Sequence, residues 1–284
     1  TAQSGNTGGL TWAAASGGGG GLSSDSDKNT VGGTNAGDSI TAGSGVNNTL
    51  IGYDAGTSLT TGDHSTALGK DALKSVTTAY GNMGIGKSAG DSLTTGQQNT
   101  CIGLSAGHNL TTQSQNVCVG EDAMAQTKGA NNTSVGFQSM GQAYFGDYNV
   151  ALGSEALKVV GGSSDGSGGD YNVAIGYQAG DALETGSNNI IIGKNAAATS
   201  DSTSNEITLG NTDITKFRVP GLNFVIKDST ATDNYVLTVD ANGEAGWEAA
   251  AGGGGGLSSD AQNNTVGGSN AGDSFSGTDA VSNT

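Results

Sequence analysis

Cys101 and Cys118 are the only two cysteines of the chain, and they stand one repeat unit apart in a periodic sequence. If each sits at the same place in adjacent backbone coils, about 4.8 Å separates their Cα atoms, which is within disulfide reach. Alternatively they fill one small interior place that Ala67, Ala151 and Ala174 fill in other units, and this is the simpler reading. Neither has a histidine at catalytic spacing, and His64 and His108, the only two, are too few and too scattered for a zinc site. Asp38, Asp91, Asp181 and Asp273 each follow a turn glycine and offer oxygen of the kind Ca²⁺ takes. The Gly-Gly-x-Gly-x-Asp phrase of calcium-binding β-helices is absent, and solvated turn carboxylates account for them. Thr60-Thr61, Thr77-Thr78, Thr94-Thr95 and Thr111-Thr112 recur at one constant spacing until Gln126-Thr127-Lys128 breaks the series. A flat threonine array would suit ice, but threonine also suits exposed strands and turns. Polysaccharide hydrolysis would need two carboxylates that break the pattern. Glu155 and Asp165 are irregular, yet Asp165 lies in GGSSDGSGGD, which has the composition of an exposed loop. Gly-Tyr-Gln-Ala-Gly, from Gly176, lacks the Lys-Ser/Thr of a phosphate loop. These residues predict no catalysis, no bound metal and no cofactor.

The composition agrees with a structural role. Of 284 residues 52 are glycine and one, Pro220, is proline, which excludes collagen with its glycine at every third place and abundant proline. Aromatic residues at 5% and charged residues at 13% are too few for one large core or an ion-paired surface, so many small cores are expected. A net charge of −16 with ten Lys and Arg argues against nucleic acid, which demands clustered positive charge, and against a membrane surface. No stretch approaches the roughly 20 apolar residues of a spanning helix, so membrane insertion is not expected. The opening at Thr1 without Met and the stop at Thr284 inside a repeated phrase suggest a segment of something longer.

The elements that would position these residues follow from an internal repeat. Gly52, Gly69, Gly86, Gly103, Gly120, Gly136, Gly153, Gly176, Gly193 and Gly210 follow one another at successive spacings of 17, 17, 17, 17, 16, 17, 23, 17 and 17, with a weaker copy at Gly32. The residue before each is aliphatic: Ile51, Leu68, Ile85, Ile102, Val119, Val135, Leu152, Ile175, Ile192 and Leu209. That position is expected to face inward as a structural ladder. Four places before the glycine stands a turn asparagine in eight units, Asn48, Asn82, Asn99, Asn116, Asn132, Asn149, Asn172 and Asn189, with Ser65 and Glu206 as exceptions. Three places after it stands Ala in eight units. Asn and Gly favour turns, and the phrase between them alternates as a short strand. The fold class expected is therefore all-β, a repetitive β-solenoid or β-roll of 17-residue coils. One coil is too small for independent stability, so coils must stack. On this register Ile102→Asp should break the stack, and Thr95→Ala should do little.

A larger repeat lies over the first. GGGGGLSSDSDKNTVGGTNAGDS, from Gly17, returns from Gly252 with an offset of 235, and Trp12 returns as Trp247. The expected divisions are 1–21, the end of a preceding joint plus a Gly-rich linker; 22–210, solenoid; 211–251, a β-rich joint; 252–256, a Gly-rich linker; and 257–284, the start of the next solenoid. The joint concentrates Phe217, Phe224, Tyr235 and Trp247, and a hairpin turning at Asn242-Gly243 is expected there. The five-glycine runs suit either a flexible linker or a place where several backbones crowd one axis.

YNVAIGYQA (171–179), NNTLIGYDA (47–55) and YNVALGSEA (148–156) resemble the head repeats of trimeric autotransporter adhesins, which carry an NSVAIG-like phrase in shorter coils. NEITLGNTDITKFRVPG (205–221) and YVLTVDANGEAGWEA (235–249) are similar to segments of bacteriophage tail-fibre proteins, notably those of marine cyanophages. The resemblance implies an extracellular homotrimeric shaft on a virion. Its modules would run in series and hold a host-attachment tip, outside this segment, against a receptor or glycan. A bacterial surface adhesin or matrix filament would need the same rod.

Overall fold

The computed structural model describes residues 22–161 and 168–218 and four further strands, 235–239, 245–249, 258–259 and 265–266. It is all-β, a solenoid whose coils each contribute one three-residue strand. After β1 (Ser23–Ser24) come β2 (Thr30–Gly32), β3 (Thr49–Ile51), β4 (Thr66–Leu68), β5 (Met83–Ile85), β6 (Thr100–Ile102) and β7 (Val117–Val119). The series continues with β8 (Thr133–Val135), β9 (Val150–Leu152), β10 (Val173–Ile175), β11 (Ile190–Ile192) and β12 (Ile207–Leu209). All twelve form one sheet in sequence order, parallel from β2 to β12, with β1 turned antiparallel onto β2. The ten steps from β2 to β12, of about 4.8 Å each, span about 48 Å.

Register corrects one alignment. Gly32 pairs with Ile51, so Gly33 and not Gly32 is the first member of the glycine column, and the coil between Gly33 and Gly52 is slightly longer than the common unit. The column has a steric cause. Gly52 to Gly193 take φ between 127° and 142°, where a side chain is rarely found. A Cβ built on Gly176 would stand 2.6 Å from the carbonyl oxygen of Gly193 in the next coil, and Gly86 meets Gly103 in the same way. The turn closes this tightly only because two glycines touch.

The core is narrow. The middle residue of each strand from β3 to β11 is buried: Leu50, Ala67, Gly84, Cys101, Cys118, Ser134, Ala151, Ala174 and Ile191. It packs with the alanine three places after the column glycine, such as Ala72, Ala89 and Ala106, and with Leu59, Val76, Leu93, Leu110, Val160 and Leu183. Sizes compensate between coils. Gly84 leaves room that Leu73 occupies, since a Cβ there would lie 2.8 Å from the Leu73 Cγ. Leu73, Met124, Met140 and Leu157 hold φ of 47° to 53° at a place where Gly56, Gly90, Gly107 and Gly180 stand in other coils. Left-handed backbone costs a non-glycine residue about 1–2 kcal/mol, and filling the core offsets it.

The aliphatic ladder expected inside is outside. Ile51, Ile85, Ile102, Val119 and Val135 are half-buried, while Leu68, Leu152, Ile175, Ile192 and Leu209 are exposed, Leu209 at 50%. Successive residues of a strand point to opposite faces, and the inward place belongs to the residue before.

The chain divides into two compact units, 1–216 and 217–284. In the second, β13 (Tyr235–Val239) pairs antiparallel with β14 (Ala245–Ala249), a hairpin as expected, with Asn242-Gly243 outside the described residues. Phe224 and both five-glycine runs also lie outside them. β15 (Ser258–Ser259) pairs with β16 (Thr265–Val266) through Ser258↔Val266 and Ser259↔Thr265, the register of Ser23↔Val31 and Ser24↔Thr30 moved by 235.

Candidate functional site

Two constructions run the length of the solenoid, one inside its turns and one on its surface. Inside, the turn asparagines form a continuous hydrogen-bonded ladder. Asn99 shows the unit: its backbone N and its Nδ2 both donate to Oδ1 of Asn82, at 2.9 and 3.2 Å, while Nδ2 also donates to the carbonyl of Gln113 at 2.9 Å. Its own Oδ1 accepts N and Nδ2 of Asn116 at 3.0 and 3.2 Å. Asn48, Asn132, Asn172 and Asn189 repeat the backbone link, each to the Oδ1 before it, and Asn149 accepts from Asn172. All are buried, so their polar groups need partners, and among the described residues the Asn149 Nδ2 is the buried side-chain atom that lacks one. Ser65 takes the Asn48 link through its backbone and passes a long bond, 3.4 Å, from Asn82 to its own hydroxyl. Asn29, four places before Gly33, is a member that a spacing read from Gly32 misses.

The ladder has ends, and acids occupy both. Asn29 has no asparagine before it, and the carboxylate of Asp25 accepts its N and Nδ2 at 2.8 and 2.9 Å. The Asn29 side chain thereby holds the Asp25 carboxyl below its usual range. At the far end Glu206 donates its backbone N to Oδ1 of Asn189, and its carboxylate accepts the hydroxyls of Thr208 and Thr199 at 2.6 and 2.7 Å. These bonds, Thr208 first, hold Glu206 low as well. The sequence signal for Asp25 was present in the module repeat, where Asp260 stands at the same offset.

The remaining chemical candidates are taken up by the same stacking. Cys101 and Cys118 face each other in register, free and fully buried, at the strand position that alanine fills elsewhere. Cys118 also lies 3.3 Å from the Met124 sulfur. Its contact with Cys101, together with burial, pushes its thiol well above the usual value, so no thiolate nucleophile forms there at neutral pH. The first threonine of three pairs is spent on stacking: the hydroxyls of Thr60, Thr77 and Thr94 donate to the carbonyls of Thr77, Thr94 and Thr111. Thr61, Thr78, Thr95, Thr111 and Thr112 face solvent. His108 Nδ1 contacts Asp91 at 2.6 Å, and burial nevertheless lifts the Asp91 carboxyl above the ordinary range. His64 lies 3.4 Å from the Asn47 amide. Glu155 meets Lys158 and Gln178, while Asp165 and Asp273 lie outside the described residues. Among the described residues no group of three or more His, Cys, Asp or Glu could hold a metal ion. No helix among them is long and apolar enough to cross a membrane.

On the surface, the first and third residues of the strands from β3 to β12 point away from the core. From β7 onward the pairs are Val117/Val119, Thr133/Val135, Val150/Leu152, Val173/Ile175, Ile190/Ile192 and Ile207/Leu209. Nearer the N-terminus threonine shares the first place, as in Thr49/Ile51, Thr66/Leu68 and Thr100/Ile102. The result is a column of aliphatic third residues from β3 to β12, widened to two aliphatic side chains in β7 and from β9 to β12. No protein family, curated protein or solved structure matches this chain. Geometry therefore has to carry the functional argument. Contiguous exposed aliphatic side chains are a feature of interaction surfaces.

Proposed function

We propose that the chain is a shaft segment of an extracellular homotrimeric fibre, of the kind found in phage tail fibres, which holds a host-attachment tip away from the particle. The observation that carries this is the aliphatic stripe. Three solenoids packed with these stripes toward a common axis would each cover the columns that contain Leu68, Ile102, Leu152 and Leu209. Burial of apolar surface contributes about 25 cal/mol per Å², and every coil added lengthens the interface in step with the rod. Stacked parallel strands without long open edges suit a mechanical role, since backbone groups pair from coil to coil. The resemblance of YNVAIGYQA and NEITLGNTDITKFRVPG to trimeric heads and tail fibres supports the same reading. The return of the β1–β2 register at β15–β16 supports modules in series.

The test is the mass and symmetry of the assembled particle. Light scattering should give three chains per particle, and electron microscopy should show threefold symmetry with coils about 4.8 Å apart. A monodisperse monomer at micromolar concentration, with the stripe open to solvent, would overturn the proposal.

A further inference from the structure

The solenoid surface carries two polar columns on another side, at the second and the fifth and sixth places after the column glycine. In some coils the side chains of these columns are bonded to one another. Lys74 bridges Asp71 and Asp54 at 3.1 and 3.4 Å, Lys158 reaches Glu155, and Gln178 donates to Glu155. One stretch differs. At the fifth place Ala125 and Gly141 follow each other in successive coils, where other coils carry Lys74, Asp91, His108 or Lys158. Two small residues in a row leave a trough of about 230 Å³. Asn109, Gln126 and Gln142, at the sixth place, and Asp122 and Gln138, at the second, line it. His108, fixed by Asp91, belongs to the same lining.

These walls hold unspent hydrogen-bonding capacity. Apart from solvent, the side chains of Asn109, Gln126, Gln138, Gln142 and Asp122 have no partner among the described residues, whereas Asp71, Glu155 and Gln178, at the place of Asp122 and Gln138, are bonded. An amide offers a donor and an acceptor side by side, and a carboxylate offers two acceptors. That set matches adjacent hydroxyls on a ring, each of which both gives and takes a hydrogen bond. It does not match an anion, which would face Asp122, and the trough contains no Lys or Arg.

We propose that this trough is a lateral binding subsite for one neutral sugar unit of a glycan. A site of this kind is weak alone, because each hydrogen bond replaces one to water. Repetition along a fibre multiplies it through effective concentration. The shaft would then grip a polysaccharide layer along its side, independently of any tip.

Saturation-transfer NMR on the full chain with neutral disaccharides, maltose and cellobiose as probes, tests this. Transfer to ring protons is expected, with loss in Ala125→Leu, which fills the floor, and in the double variant Gln126→Ala/Gln142→Ala, which keeps the backbone. The control Thr61→Ala should bind as the parent does. Circular dichroism confirms that each variant keeps its fold, and if Ala125→Leu does not fold, the double variant decides. No transfer to either probe, or transfer equal in parent and double variant, overturns the proposal. So does a response of the His108 and Asp122 signals to Ca²⁺ alone with none to sugar.

Discussion

A buried asparagine in this solenoid serves two neighbouring coils at once. Asn99→Ala removes the acceptor of the Asn116 N–H and the donor to the Gln113 carbonyl. Each buried group left unpaired costs about 1–3 kcal/mol, so a loss of about 2–5 kcal/mol is expected in denaturant unfolding, with faster amide exchange concentrated in the two adjoining coils. Asp25 adds a pH dependence. Its folded pKa is depressed by the Asn29 side chain, so its contribution is complete above the unfolded value of about 3.9. It is lost as pH falls through the folded value. The protection of the Thr30 and Val31 amides, taken relative to the intrinsic exchange rate at each pH, should therefore fall below about pH 4 in the parent. In Asp25→Asn, which keeps one oxygen acceptor and cannot ionise, that step should be absent.

At the scale of the element, what matters is which residues the coil turn will accept. Gly86→Ala would drive a Cβ into the backbone of Gly103, at a φ of 127° that side chains avoid, and should cost about 3 kcal/mol or more. Gly43→Ala meets nothing within 4 Å and bears only the cost of left-handed backbone, about 1–2 kcal/mol. Thermal melts of the two variants should separate accordingly, and equal losses would contradict the stacking register. The period, the β class and the asparagine column were legible in the sequence because the column glycine is held by backbone geometry and the asparagine by a side chain that both accepts and donates between coils. The direction of the strand faces was not. A three-residue strand offers only one inward place, and here Ala, Cys, Gly and Ser occupy most of it, while Ile and Leu stand next to it. A shift of one residue moves every side chain to the opposite face. The usable signal was compensation: the middle column varies from Gly84 to Ile191 while its neighbours hold size, as an interior shared between coils requires.

For the whole molecule that shift reverses the meaning of one substitution. With Ile102 on the outer face, Ile102→Asp leaves the coil interior of Leu93, Cys101, Ala106 and Leu110 intact. It places a charge in the stripe, and in the proposed trimer desolvating an unpaired carboxylate between the chains is unfavourable enough to oppose association. Leu110→Asp puts the same charge inside the solenoid, where the leucine is fully buried. The expected outcome is a dissociation of the two properties. Ile102→Asp should give a folded β-rich monomer in light scattering and circular dichroism. Leu110→Asp should lose the β-solenoid signal and become sensitive to protease. If Ile102→Asp stays trimeric with unchanged stability, the stripe is not the surface that joins the chains, and the shaft must be held together elsewhere. If it unfolds as Leu110→Asp does, the solenoid does not persist without its partners, and folding and assembly are one step, as in obligate oligomers.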